Sequence, residues 1–87
     1  MRLRLIHRER SDYAAAVRDF KRELGAAGVS NLEELDPDSA EGSEVARLYG
    51  VSQYPAVVVT ASDGVMSFMS QGVPLPLVRE VQYYVSR

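Results

Sequence analysis

The chain has 87 residues, 25% of them charged, with a net charge of −2 and neither cysteine nor tryptophan. That length suits one domain, residues 1–87, with a core able to fold without staples, and the missing thiols exclude disulfides, zinc–thiolate centres and thiol catalysis. An acidic balance with no clustered basic face argues against nucleic acid, and no apolar run is long enough for a bilayer, so a cytoplasmic protein is expected.

Residues 2–7 read as a first strand, with Leu3 and Leu5 on one face and Ile6 on the other. His7, the only histidine, is read as a solvated strand-end residue in preference to a base or metal ligand. After the polar loop Arg8-Glu9-Arg10, Ser11 or Asp12 is expected to cap a helix running to about Leu24. Its inner stripe is Tyr13, Val17, Phe20 and Leu24, spaced i, i+4, i+7 and i+11. Gly25 to Gly28 end it.

A short strand at 31–35, polar on one side, suits a sheet edge. Residues 1–22 hold seven basic and three acidic side chains, and residues 23–49 one basic and seven acidic. If the first two strands are parallel neighbours, Arg2 and Arg4 therefore lie near Glu33 and Glu34, in exposed pairs worth about 0–1 kcal/mol each. Asp38 with Glu41 has capping-box spacing and opens a helix whose Val45, Leu48 and Tyr49 face inward. Asp36, Asp38 and Glu41 match no calcium loop, and no metal site is expected.

Gly50 can take the left-handed conformation that ends this helix, and Val51 then packs back on the last turn. Pro55 opens a strand, and Ala56 to Val59 form an apolar run suited to a central, doubly covered position. Asp63-Gly64 signals a type I′ hairpin turn, and residues 65–70 return with Met66 and Phe68 on one face. Pro76 suits the first turn of a last helix, with Leu77, Val81, Tyr84 and Val85 on its inner stripe. Met66, Phe68 and Met69 are read as core in preference to an exposed patch. Tyr83 and Tyr84 are neighbours, so one ring is expected outside, a candidate surface for a protein partner or a homodimer. The order βαβαββα gives an α/β fold with a four-stranded mixed sheet, ordered 2-1-3-4, and helices on both faces.

A helix ending in Tyr49-Gly50-Val51, a short linker, Tyr54-Pro55 and then an apolar strand resembles the half of the thioredoxin-like fold that carries its cis-proline. With the element order, the resemblance to the thioredoxin and glutaredoxin superfamily covers essentially the whole chain, which looks like short, cysteine-free bacterial members. From the residues alone, Pro55 is an ordinary trans proline opening a strand; the resemblance implies a cis Tyr54–Pro55 bond. It also sets Ser11-Asp12-Tyr13-Ala14 on the Cys-Pro-Tyr-Cys motif of glutaredoxins. Ser11 stands in the nucleophile's place, Ala14 in the resolving position, and only Tyr13 matches.

A helix N-terminus can stabilise a thiolate, but a serine hydroxyl is far too weak an acid to follow, so thiol–disulfide exchange is not carried over. Ser11 is read first as a helix cap. It is alternatively a hydrogen-bond donor to a bound thiolate, as in glutathione transferases, or a nucleophile. The resemblance implies a redox-inactive binding module in which Gln53-Tyr54, just before Pro55, pairs with an extended segment as one strand pairs with another. Its candidate residues are Arg10, Ser11, Tyr13, Gln53, Tyr54 and Pro55, with Arg8 and Arg10 placed to take a carboxylate. A peptide or glutathione is the implied ligand, and no catalytic residue is expected. The alternative is a structural subunit acting through the 31–35 edge or the last helix.

Overall fold

The computed structural model describes residues 1–86. Its elements are β1 (Arg2–Ile6), α1 (Ala14–Ala26), β2 (Leu32–Leu35), α2 (Ala40–Tyr49), β3 (Ala56–Thr60), β4 (Met66–Gln71) and α3 (Val78–Val85). The strands form one mixed sheet in the order β2-β1-β3-β4. β1 runs parallel to β2, with Leu3 beside Leu32, and antiparallel to β3, with Leu5 beside Val57. β3 runs antiparallel to β4.

Alternation along the inner strands sorts the core into two layers. Leu3, Leu5, Val57 and Val59 meet Val17, Phe20 and Leu24 of α1 and Val81 of α3 on one face. Ile6, Ala56 and Val58 meet Ala46 and Val51 on the other, beneath α2. All five residues of β3 are buried, because the strand is paired on both edges and covered on both faces. Helices therefore lie on both faces of the sheet, as the alternation requires. Among the described residues no helix is long and apolar enough to cross a membrane.

Gly50 ends α2 at φ 71°, and the Val51 N–H donates to the Ala46 carbonyl at 2.8 Å while the Gly50 N–H reaches Arg47 at 3.4 Å. This is the Schellman arrangement, with buried Val51 as its apolar contact. Three other expected termini differ. α1 begins at Ala14, and neither Ser11 nor Asp12 caps it: the Ser11 hydroxyl donates to the Arg8 carbonyl at 3.0 Å, inside a turn that precedes the helix. α2 is capped by Ser39, whose Oγ accepts from the Gly42 N–H at 3.0 Å. Asp38 is not its cap, because the Asp36 carboxylate takes the Asp38 N–H at 2.8 Å in an Asx turn that delivers Ser39 one position later. α3 starts at Val78, two residues after Pro76, and leaves Leu77 60% exposed outside the stripe.

The inner stripe of α2 is shifted as well. Gly42 and Ala46 are buried, Val45 and Tyr49 pack beside them, and Leu48 is 65% exposed. Gly42 is buried against the Asp36 turn, where a Cβ would fall 1.9 Å from the Asp36 carbonyl oxygen, while Ala46 packs in the core. The β3–β4 turn is not type I′. Only Gly64 has positive φ, and its N–H bonds Ala61 at 2.9 Å, which describes a three-residue loop with glycine in the left-handed position. β4 then carries one extra residue, Ser67, between the partners of Val59 and Thr60, which breaks the alternation expected to set Met66 beside Phe68 and leaves Met66, expected in the core, 41% exposed.

Candidate functional site

The loop after β1, the start of α2 and the loop before β3 converge at one end of the sheet, and Arg8 joins all three. Its guanidinium donates from Nε and Nη2 to the two Asp38 carboxylate oxygens, each at 3.0 Å, and lies 5.3 Å from the centre of the Tyr54 ring. Its N–H donates to the Tyr13 hydroxyl at 2.9 Å, and its carbonyl accepts from Ser11. The hydrogen bonds from Arg8 hold the Asp38 carboxyl below the usual carboxylate range. Arg8 is thereby committed to Asp38, so of the two expected carboxylate binders only exposed Arg10 has no ion pair among the described residues.

The 52–55 loop is fastened on both sides of Tyr54. The Gln71 side-chain oxygen accepts from the Ser52 and Gln53 N–H groups at 2.7 and 3.1 Å, and the Pro55 carbonyl accepts from the Gly72 N–H at 2.9 Å. The Tyr54–Pro55 bond is cis, as the resemblance implies, and Val73–Pro74 is cis as well. Pro55 is buried, Tyr54 half-buried and Gln53 exposed. Among the described residues the N–H and C=O of Tyr54 have no hydrogen-bond partner, whereas the Gln53 N–H is already taken by Gln71. The structure therefore brings Ser11, Tyr13 and Tyr54 together through Arg8, buries Pro55, and leaves Arg10 and Gln53 at the surface.

A second cluster went unrecognised in the sequence. His7 is 12% exposed at its side chain, not solvated, and its Nε2 lies 2.9 Å from Glu34 Oε1, which also takes Lys21 Nζ at 3.0 Å. Partial burial raises the Glu34 carboxyl, but the bonds from Lys21 and His7 outweigh it and the net displacement is downward. The parallel pairing of β1 and β2 was the available signal, since it places the residue after Ile6 beside the end of β2. Among the described residues no group of three or more histidines and carboxylates is placed to hold a metal ion.

At the other end of the strands Arg2 forms the expected pair with Glu33, with bonds of 2.7 and 3.0 Å. Arg4 does not pair with Glu34. It is buried, donates from Nη1 to Thr60 Oγ1 at 3.4 Å, and leaves Nε unpartnered. The cause is alternation, which points Arg4 from an inner strand under α2, while Glu34 is occupied by His7 and Lys21.

No protein-family model matches the chain, and neither the curated proteins nor the solved structures contain one significantly similar to it. Functional assignment therefore rests on the site's own geometry. A half-buried aromatic ring beneath a fixed guanidinium, beside a backbone segment with free donor and acceptor, suits an extended chain laid across the loop.

Proposed function

We propose that the chain is a redox-inactive, cytoplasmic member of the thioredoxin-like superfamily that binds an extended peptide segment, or the peptide part of glutathione, across the 52–55 loop. The observation that carries this reading is the unpartnered N–H and C=O of Tyr54, held in place by Gln71 on one side and Arg8 on the other. A bound strand supplies both missing hydrogen bonds, and their net contribution is about 0.5–1.5 kcal/mol each. Arg10 is the cation available for a ligand carboxylate. Ser11 shapes the loop through Arg8, which is a positioning role, and the cysteine-free sequence supports binding without redox chemistry.

The test is an amide chemical-shift titration of the labelled protein with a pool of extended peptides and with reduced glutathione. Saturable shifts at residues 8–13 and 52–55, weakened in Tyr54→Ala and Arg10→Ala, are expected. Absence of shifts there at millimolar ligand sinks the proposal.

A further inference from the structure

The two edges of the sheet differ in kind. β2 is four residues long and its edge is occupied by the Arg2–Glu33 and Lys21–Glu34 ion pairs, charged groups that discourage pairing with another strand. β4, at the other edge, lies in a stretch of fifteen residues, 64–78, without a single charged side chain in a chain that is 25% charged. Residues 48–62 form the other such stretch, but they contain β3, which is wholly buried. None of residues 64–78 is buried, and Val65, Met66, Val73 and Leu77 are 63%, 41%, 62% and 60% exposed. Between β4 and the segment that follows it runs an open groove of about 500 Å³, lined by Phe68, Ser70, Pro74, Leu75, Leu77 and Glu80.

We propose that β4 is a dimer edge whose occupant is a second copy of this chain, with the two β4 strands antiparallel about a two-fold axis. Three features select that occupant. Residues 64–78 offer no counter-charge, and the one ionisable group lining the groove, Glu80, repels a further carboxylate, so an uncharged partner strand is favoured. The chain presents one such strand already in extended form, β4 itself, and a two-fold contact sets that surface against its own copy. The side-chain pattern is also self-consistent. Opposed residues in an antiparallel pair share a face, so a two-fold axis normal to the sheet must pass through a residue and not between two. Phe68 and Ser70 then fall opposite each other about Met69, with Phe68 kept stacked on Tyr84 at 4.9 Å. About that axis Gln71 would face the extra residue Ser67, which confines regular pairing to residues 68–70, and the exposed Leu77 of each copy supplies apolar cover beside it.

Sedimentation equilibrium on the full chain from micromolar to millimolar concentration reads the proposal directly, with amide hydrogen exchange followed in parallel. The mass is expected to rise to twice that of the monomer, and exchange at residues 68–70 to slow as it does so. Ser70→Lys is expected to weaken association at least about tenfold, or ~1.4 kcal/mol, without altering thermal unfolding of the dilute monomer. Leu77→Lys gives the same readout should Ser70→Lys fail to fold. A wild-type monomer at millimolar concentration overturns the proposal, as does a dimer indifferent to the folded lysine variants. The peptide site is read at residues 8–13 and 52–55, so either proposal can fail while the other stands.

Discussion

Arg8 and Asp38, thirty residues apart in the chain, are joined by two parallel 3.0 Å hydrogen bonds that fasten the loop after β1 to the start of α2. The same guanidinium covers the Tyr54 ring, so one side chain sets the relative positions of three segments. Both partners are substantially exposed, 45% and 67% at the side chain, which makes the pair a device of geometry more than of stability.

Arg8→Ala is therefore expected to leave the urea midpoint nearly unchanged while shifting amide resonances at residues 36–39 and 52–55. Arg8→Lys should behave like the alanine variant, because an ammonium cannot reproduce the two parallel bonds or the planar contact with Tyr54. Shifts confined to residues 7–9 in either variant would show that the three segments hold their positions without Arg8.

Acid should weaken the fold chiefly through Glu33 and Glu34, both displaced downward in the folded protein. For Glu33 the chief cause is the hydrogen bonds from Arg2. A carboxyl whose folded pKa lies below its unfolded one stabilises the fold above the unfolded value. It loses that contribution as pH falls through the folded value. Unfolded carboxyls titrate near pH ~4, so urea midpoints should be flat from neutrality to about pH 5 and fall below it. Glu33→Gln should flatten the fall. An unchanged slope in that variant would show that the Arg2 pair contributes nothing to acid sensitivity.

The sheet order and the two-layer core were readable from residue pattern, because the buried run of β3 and the i, i+4, i+7 stripe of α1 are dictated by burial alone. Gly50 and Val51 were readable for the same reason, since few residues other than glycine accept φ 71° without strain. What escaped was local polar competition. Asp38 carries a good capping sequence, yet the Asx turn at Asp36 and the pull of Arg8 divert it and pass the cap to Ser39. Ser11 is diverted in the same way by the Arg8 carbonyl. His7 and Arg4 were misread because their partners come from other elements, which spacing along one element does not reveal.

Arg4 gives a prediction with opposite signs at two positions. The residue is 6% exposed, with one long bond to Thr60 and a buried, unpartnered Nε. Replacing a poorly compensated buried charge by an apolar side chain of similar reach is commonly neutral or stabilising, so Arg4→Met should raise stability by about 1 kcal/mol. Thr60→Val removes the Nη1 acceptor while the charge remains and should lower stability by about 1 kcal/mol. Denaturant unfolding of the two variants and the double mutant checks this, and the Thr60→Val cost should vanish in the Arg4→Met background. A persistent cost would assign Thr60 a role independent of Arg4.

Gly25 and Gly42 both lie inside helices, where alanine is the better helix former by about 1 kcal/mol, yet they should respond oppositely. A Cβ at Gly25 meets nothing within 4 Å, so Gly25→Ala should stabilise by about 0.5–1 kcal/mol. At Gly42 a Cβ falls 1.9 Å from the Asp36 carbonyl oxygen and 3.0 Å from Ser39 Oγ, inside the turn that caps α2. Because the nearest obstacle is backbone, the turn must move, and with it the Ser39 cap and the Asp38 carboxylate that holds Arg8. Gly42→Ala should cost about 2–3 kcal/mol despite its propensity gain, from overpacking together with a weakened cap. It should also shift the same 52–55 amides that Arg8→Ala shifts. Destabilisation without those shifts would confine the effect to the cap, whereas a stable Gly42→Ala protein would show that the 36–39 turn is free to yield and does not fix Arg8.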